Sequence, residues 1–269
     1  MRPIRIPLYI QSLYENEPKT LAATALISDA YKALRKDGPA AVSIVMPAYN
    51  EEENILQTLL SLSNNITTWA VEIVVVNNNS KDQTESLVKA TGIPCITETK
   101  QGITIARNAG LAVATGKYIL NADADTIYPK DWIEQMIKPL AERENIAAVY
   151  GRFSFIPIAN TPRFTYFVYE YFADLSRWIN KTCRDEAMNA YGFNSGFRRE
   201  QGLAVDGFNH PPGTNEDGWL ALKLRENGYG KLYYVTAISA LVWTTDRRIQ
   251  IDGGLWKGTV KRLKRIVGL

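Results

Sequence analysis

Short β-branched segments alternate with amphipathic segments along residues 42–151. Apolar runs typical of buried strands cover 42–46, 71–76, 94–97, 117–120 and 146–151. Helical spacing of apolar side chains predicts helices over 50–64, 82–90, 103–114 and 129–143, the first of them with Asn50 as its N-cap. Because the strands are almost continuously apolar, the alternation predicts an α/β fold with a mostly parallel sheet. We expect one large, Rossmann-like domain with helices on both faces of the sheet.

The pattern changes at both ends of this alternating region. Residues 20–35 predict a further helix, which ends before Asp37-Gly38-Pro39. After Gly151 the alternation gives way to an aromatic-rich stretch from Phe153 to Trp178, and a helix is predicted over 219–226. The second half of the domain is therefore expected to be built around the first half, without repeating it.

The last fifteen residues combine an apolar stripe with basic side chains. In a helix over 255–269, one face would carry Trp256, Val260, Leu263 and Val267, with five Lys and Arg residues beside or opposite it. One interpretation is a terminal helix that docks on the protein's own core. The other is an interfacial helix on anionic lipid, with Trp256 at the level of the headgroups. Periodicity alone does not separate the two.

Composition restricts the partners, metal sites and catalytic mechanisms that the chain can have. The chain has 269 residues and a net charge of only +3, which does not favour nucleic acid as a partner. One His and two Cys exclude a His-rich or Cys-rich metal site. A metal would therefore be held by carboxylates, which favours Mg²⁺ or Mn²⁺. A triad of the Ser-His-Asp or Cys-His kind would depend entirely on His210.

Localisation follows from what the sequence lacks. The N-terminus has no continuous apolar region of the kind found in signal peptides, and no uncharged apolar run reaches the roughly 20 residues that span a bilayer. We expect a cytoplasmic protein with free thiols at Cys95 and Cys183. Peripheral attachment to the inner face of the membrane would follow if the C-terminal segment lies on lipid.

Two acidic groups follow predicted elements at informative places. Asp123 and Asp125 come directly after the strand 117–120, and alternate residues of an extended chain share a face. Such a pair suits Mg²⁺ or Mn²⁺ bridging a diphosphate, although it could also form an Asx-turn. Glu216 and Asp217 precede the helix 219–226. Their negative charges could stabilise the N-terminus of that helix through its dipole, or one of them could be a general base.

Taken together, these segments resemble a known family. The stretches that carry the resemblance come in the family's order: VSIVMPAYNEE (42–52), VVVNNNSKDQT (74–84), GITIARNAG (102–110), YILNADAD (118–125), NSGFRRE (194–200) and NEDGWL (215–220). The chain resembles family 2 inverting glycosyltransferases of the GT-A fold over about residues 40–248. The resemblance implies a nucleotide-diphospho-sugar donor, a divalent metal and a single displacement with inversion.

The resemblance also implies roles for individual residues. Donor-binding residues would be Pro47, Ala48, Tyr49, Glu51, Asn78, Arg107 and Asp123. The metal would be held by Asp123 and Asp125, with Asp125 as the more direct ligand. Asp217 would be the general base, with Glu216 beside it. The acceptor side would comprise Gly192, Phe193, Asn194, Ser195 and His210.

Residues outside the quoted stretches complete this expectation. Arg247 and Arg248 follow the apolar run 240–243 and either clamp the departing diphosphate or form a surface turn. The expected organisation is an extension (1–39), a GT-A domain (40–250) with nucleotide-binding (40–125) and acceptor (126–250) halves, and a basic C-terminal helix (251–269). The acceptor would be a cell-surface saccharide or a lipid-linked one.

Two departures from the family pattern bear on specificity. The chain has Asn77-Asn78 where the family commonly has Asp-Asp, and an amide donates as well as accepts, so the donor base stays open. The Gln-x-x-Arg-Trp signature of processive synthases is missing after Asp217, which favours transfer of single sugars. Alternative hypotheses are a sugar-nucleotidyltransferase, and an inactive homologue that binds the donor or docks on membranes.

Overall fold

The computed structural model describes residues 1–15, 21–158, 160–251 and 254–255, and its strands form two sheets. The strands are β1 (Val42–Ala48), β2 (Val71–Asn77), β3 (Cys95–Thr97), β4 (Tyr118–Asn121), β5 (Thr126–Ile127), β6 (Ile146–Tyr150), β7 (Phe153–Ile156), β8 (Ser195–Arg198), β9 (Lys231–Tyr234) and β10 (Val242–Thr245). The predicted strands are all present, and β8, β9 and β10 complete the second half of the domain.

Helices flank these strands. They are α1 (Leu8–Glu15), α2 (Leu21–Arg35), α3 (Ile55–Ser63), α4 (Thr84–Ala90), α5 (Ile103–Val113), α6 (Trp132–Glu142), α7 (Arg163–Cys183), α8 (Arg199–Ala204), α9 (Glu216–Glu226) and α10 (Arg247–Ile251). Two short 3₁₀ helices cover Glu186–Asn189 and Ile238–Ala240. Within the described residues, no helix is both long enough and apolar enough to cross a bilayer.

The main sheet has seven strands in the order β3-β2-β1-β4-β8-β6-β9. β8 runs antiparallel to both of its neighbours, and the other described pairings of this sheet are parallel. The fold is therefore the predicted mixed α/β domain with a mostly parallel sheet. The second sheet has the order β5-β10-β7. Since β2, β1 and β4 are adjacent and parallel, their carboxyl ends meet at one edge, where ligands bind in such sheets.

The core explains why these segments fold as they do. β1 is buried along its whole length, since helices cover both faces of the sheet. Each fully buried Val, Leu or Ile contributes about 1.5–3 kcal/mol relative to exposure. The helix α2 joins this core through Ile27 and Leu34, and the Tyr31 hydroxyl accepts a 3.3 Å hydrogen bond from the Ile73 N–H group. The N-terminal segment thus packs directly on the sheet.

Some predicted boundaries were wrong. The helix expected from Asn50 begins at Ile55, because Asn50 has a φ of 53° and lies in a turn whose side chain accepts a hydrogen bond from the Lys81 N–H group. The helix expected over 219–226 begins at Glu216, because Asn215 caps it by accepting from the Gly218 N–H group. Most of the aromatic-rich stretch forms α7, which helical spacing had not indicated. The predicted helix 255–269 lies outside the described residues after Leu255.

Candidate active site

The acidic residues after β4 lie at the edge where β1, β2 and β4 end. The chain between β4 and β5 is fixed by Tyr128, whose hydroxyl accepts from the Asp123 N–H group at 3.0 Å and donates to the Phe193 carbonyl at 3.1 Å. Burial is the main cause that raises the pKa of Tyr128 well above its ordinary value, so the phenol stays protonated and can donate. Tyr128 therefore links Asp123 to Phe193, one of the residues predicted for the acceptor side.

Arg107 connects the two acidic groups that lie far apart in the sequence. Its Nη2 donates a 2.9 Å hydrogen bond to Asp123, and its Nε lies 3.4 Å from Asp217 Oδ1 and 3.9 Å from Glu216 Oε1. The guanidinium is only 2% exposed. Arg107 is part of α5, which packs closely on the sheet because Gly110 has no side chain. A Cβ at Gly110 would lie 2.3 Å from Val45 Cγ1. One buried cation thus faces three carboxylates.

Asp217 lies in the first turn of α9 and is 8% exposed. Its pKa is raised to about 7, first by burial and then by Glu216 and Asp123, while Arg107 and a hydrogen bond from the Gly192 backbone act in the opposite direction. Its Oδ1 atom has no hydrogen-bond partner, although Arg107 lies beside it. A buried carboxyl with a pKa near neutrality has the properties of a general base.

A second guanidinium lies at Asp125. Arg247 Nη2, from the start of α10, is 2.5 Å from Glu51 Oε1 and 2.9 Å from Asp125 Oδ2. The pKa of Asp125 is nevertheless raised to about 6, first by burial and then by Asp123 and Glu51, with Arg247 and Arg248 lowering it. Arg248 is exposed at the surface. This cluster has more negative charge than its arginines neutralise, which makes it a place where a cation is stabilised.

The other predicted donor-side residues lie at the same edge of the sheet. Pro47 and Ala48 end β1 and are buried, whereas Tyr49 is exposed. The amide of Asn78 donates to the Lys100 carbonyl at 2.9 Å and accepts from the Gly102 N–H group at 2.8 Å. An aspartate could not make the donated bond, which gives a structural reason for the asparagine. An open cleft of about 350 Å³ lies beside Arg247, lined mainly by Asn50, Glu52, Lys81 and Asp82.

The predicted acceptor-side residues differ in what they contact. Gly192 lies against the charged cluster: a Cβ there would come within 1.9 Å of Arg107 Nη2 and 2.6 Å of Asp217 Oδ2. The ring of Phe193 stacks on Tyr191, with centroids 5.5 Å apart. Asn194 and Ser195 are buried, and their side chains bond to Trp132 and Asn121, respectively.

His210 lies in the loop before α9. Its Nε2 is 3.1 Å from Thr104 Oγ1 of α5, and its Nδ1 is 3.1 Å from Thr214 Oγ1. The histidine therefore ties the loop that precedes Asp217 to the helix that carries Arg107.

Two contributors to this site were not among the predicted residues. Tyr128 bridges Asp123 and Phe193, and Asn215 caps α9 and so orients the turn that holds Asp217. Asn215 could have been found as an N-cap residue two positions before Asp217. Nothing in the sequence distinguishes Tyr128 from other aromatic residues in buried segments.

The carboxylates of this site suit a hard divalent cation whose remaining coordination positions are filled by a bound ligand and water. In the part of the chain that the structure describes, no three His, Cys, Asp or Glu side chains come close enough together to hold a metal by themselves. Mg²⁺ and Mn²⁺ are commonly held by one or two carboxylates, with phosphates and water in the other positions. Asp125 and the second oxygen of Asp123 fit that requirement, because the excess negative charge at Asp125 favours a cation.

This fold is found in solved glycosyltransferases. The mannosyltransferase PcManGT from Pyrobaculum calidifontis, solved with GDP-Man and Mn²⁺, has a TM-score of 0.56 at 22% identity, covering 88% of this chain and 66% of that one. Glucosyl-3-phosphoglycerate synthase from Mycobacterium tuberculosis, solved with Mn²⁺, UDP-Glc and phosphoglyceric acid, has a TM-score of 0.56 at 20% identity, covering 84% and 78%. The fold is therefore the GT-A glycosyltransferase fold.

The sequence comparison gives the family. Residues 43–201, more than half of the chain, match the model of glycosyl transferase family 2, and the chain belongs to that family. A curated relative is the Escherichia coli UDP-Glc:alpha-D-GlcNAc-diphosphoundecaprenol beta-1,3-glucosyltransferase WfgD, 32% identical over 120 residues, which are 43% of this chain and 46% of the relative. The match covers less than half the length of each of the first eight curated relatives.

Proposed function

We propose that this protein transfers a single sugar from a nucleotide-diphospho-sugar to an acceptor hydroxyl, with inversion at the transferred carbon. The observation that carries the proposal is Arg107, which contacts Asp123 of the acidic pair and lies 3.4 Å from Asp217. The residues that would hold the diphosphate and the residue that would activate the acceptor are therefore neighbours. Inversion in one step needs the base and the diphosphate on opposite faces of the same sugar carbon, so both groups must lie close to that carbon.

Asp217 would act as the general base. It would accept the proton of the acceptor hydroxyl through a carboxylate oxygen as that hydroxyl attacks the sugar. A pKa raised to about 7 suits this role, because such a carboxylate is a stronger base than an exposed aspartate and is still substantially ionised at neutral pH. Glu216 beside it helps to raise that pKa.

Asp125 and Asp123 would hold the diphosphate end of the donor together with Mg²⁺ or Mn²⁺. When bound, such an ion supplies neutralisation of the charge that develops on the departing diphosphate. Arg247 would add to this by exchanging its carboxylate partners for phosphate oxygens, for which a guanidinium has matching geometry. Support for the metal comes from the carboxylate excess at Asp125 and from the Mn²⁺ in the solved structures of similar fold.

The acceptor would be a saccharide or a lipid-linked saccharide. The name of WfgD describes transfer to a sugar on diphosphoundecaprenol, and the dolichol-phosphate mannosyltransferase of Pyrococcus furiosus, 31% identical over 111 residues, is named for a lipid phosphate. The donor nucleoside stays open between uridine, guanosine and thymidine. Asn78 bonds to backbone groups, so a base preference inferred from an aspartate at this position does not apply to this chain.

The test is a panel of nucleotide sugars incubated with the full chain and Mn²⁺, with and without saccharide acceptors. Release of nucleoside diphosphate from one donor, dependent on Asp217, is the expected result. Release of pyrophosphate on incubation with a sugar phosphate and a nucleoside triphosphate would instead indicate a nucleotidyltransferase. Donor binding without turnover across the whole panel would favour an inactive homologue.

A further inference from the structure

The long helix α7 has its apolar side facing away from the protein. Seven apolar residues at helical spacing are exposed and form what we call the outer face of α7: Phe164, Val168, Tyr171, Phe172, Leu175, Trp178 and Ile179. Phe172 is 65% exposed and Trp178 is 60% exposed. Helices of water-soluble domains normally turn this side towards the core. The orientation of α7 is therefore the reverse of the usual one.

The opposite side of α7 is polar apart from tyrosines such as Tyr166, and it is fixed by specific contacts. Glu170 is fully buried and accepts hydrogen bonds from the Phe155 N–H group at 2.9 Å and from Arg163 at 3.0 Å. Arg2 binds Asp174 through Nε at 2.6 Å and Nη2 at 2.9 Å. A rotation of α7 that buried its apolar side would break these contacts and expose buried charges, which is costly. The outward position of the apolar side is thus built into the fold.

The exposed apolar area of the outer face of α7 is large enough to indicate a binding surface. The four aromatic side chains alone expose on the order of 450 Å², if a full aromatic side chain has about 200 Å². From Phe164 to Ile179 the outer face extends about 22 Å along the helix, at a rise of about 1.5 Å per residue. Exposed apolar patches of this size mark sites of association with proteins or membranes.

The charges around the outer face favour anionic lipid as that partner. Of the four basic residues from Arg163 to Arg184, Arg163 and Arg177 lie on the inner side, where they pair with Glu170 and Asp174. At the exposed end, Lys181 pairs with Glu186 at 2.9 Å, and Asp185 pairs with Arg225 at 2.7 Å. Exposed Arg184 has no ion pair among the described residues, so it places a positive charge beside the outer face. Basic residues beside aromatic and aliphatic side chains are the composition that binds anionic membrane surfaces.

The first residues of the chain extend this surface. The side chain of Arg2 is held against α7, and the Pro3 carbonyl accepts a 3.0 Å hydrogen bond from Arg163. On either side of this anchored pair, Met1 and Ile4 are exposed apolar residues. Tyr171 and Trp178 each combine an apolar ring with a polar atom, which suits the boundary between headgroups and acyl chains.

We propose that the outer face of α7 docks on an anionic phospholipid bilayer. The helix is joined to the acceptor side, because Asn180 donates to the Asn189 side chain and Asn189 donates to the Arg177 carbonyl, both at 3.0 Å. Asn189 ends the 3₁₀ helix that precedes Gly192. Docking would therefore hold the acceptor side near the lipid surface. Only this last step rests on the proposed function, since binding to lipid needs no turnover.

The test is co-sedimentation of the full chain with vesicles of phosphatidylcholine containing about one third phosphatidylglycerol. Leu175→Glu places a charge in the outer face, and Leu26→Glu makes the same change at an exposed leucine of α2. We expect the wild type and Leu26→Glu to bind, and Leu175→Glu to bind at least tenfold more weakly. Thermal melting and donor hydrolysis without vesicles, expected to be equal in all three proteins, show that Leu175→Glu is folded.

Three results would overturn the proposal. The wild type could fail to sediment with anionic vesicles. Leu175→Glu could bind as well as the wild type, in which case another surface, such as residues 256–269, attaches the protein. Light scattering without lipid could show a dimer that Leu175→Glu dissociates, which would make the outer face a contact between two copies of the chain. None of these results depends on whether the protein transfers a sugar.

Discussion

The guanidinium of Arg107 lies 3.4 Å from the carboxylate of Asp217, although the two residues are 110 positions apart in the sequence. The same guanidinium donates to Asp123, so a single buried cation connects the two acidic groups of the candidate active site. The pKa of Asp217 is raised and that of Arg107 is raised as well. Both directions follow from the numbers of charges: three carboxylates stabilise one arginine, whereas one arginine does not offset burial and two neighbouring carboxylates at Asp217.

Asp217→Asn should abolish transfer and retain donor binding. The amide keeps the shape of the side chain but cannot accept the proton of the acceptor hydroxyl, so we expect a loss of about 10²–10⁴-fold in kcat. The rate of nucleoside diphosphate release and calorimetry with the donor measure the two properties. Glu216→Gln is the matched control, and we expect it to lose far less activity. Equal losses in the two variants would remove Asp217 from the role of the base.

The pH dependence of stability should differ between the wild type and Asp217→Asn. The unfolded carboxyl titrates near 4 and the folded one near 7, so the folded protein holds a proton that the unfolded chain releases between these values. Stability from this group is therefore lost as pH rises from about 4 to 7. Relative to the variant, the wild type should lose about 2.6 kcal/mol of unfolding free energy between pH 5 and 8. Urea unfolding at both pH values measures this. A constant difference would mean that the Asp217 carboxyl titrates normally.

Gly192→Ala should impair catalysis more than folding. The added Cβ would lie 1.9 Å from Arg107 Nη2 and 2.6 Å from Asp217 Oδ2, so the two charged groups must move apart. We expect at least a tenfold loss in kcat, with the fold retained by circular dichroism. Gly228→Ala is the control, because its φ of 81° makes alanine strained while nothing lies within 4 Å. That variant should lose about 1 kcal/mol of stability and keep its activity. The reverse pattern would show that Gly192 has no role in spacing the charged groups.

The sequence predicted the parts of the molecule whose structure depends on neighbouring residues, such as strands and the acidic residues that directly follow them. β1 and β2 were evident from β-branched runs, β4 from a short apolar run, and Asp123 and Asp125 from their place after β4. Long-range contacts were not evident: the pairing of Arg247 with Glu51 joins residues 196 positions apart and depends on how α10 returns to the sheet. The orientation of α7 could not be foreseen, because its buried side is satisfied by partners such as Arg2 that lie elsewhere in the chain.

Arg107→Lys should shift the pH dependence of transfer. Lysine is shorter and has a single ammonium group, so it cannot both bond to Asp123 and lie beside Asp217. Because Arg107 lowers the pKa of Asp217, its loss should move the midpoint of the pH–rate profile upwards from about 7, with about a tenfold lower kcat at pH 7. Arg225→Lys, at the surface pair with Asp185, is the matched control. An unchanged midpoint with lower stability would assign Arg107 a structural role alone.

Arg247→Ala should weaken donor binding even though it frees two carboxylates. Arg247 is 36% exposed, so its pairs with Glu51 and Asp125 are partly solvated, and their loss should cost no more than about 1 kcal/mol of stability. If the guanidinium transfers to the diphosphate when the donor binds, its removal should raise the donor Kd about 10–100-fold in the presence of Mn²⁺. Arg248→Ala, at the exposed neighbour, should raise it less. Calorimetry with nucleoside diphosphate and Mn²⁺ measures both. Tighter binding by Arg247→Ala would instead show that the arginine competes with the metal for Asp125 and contributes nothing to holding the donor.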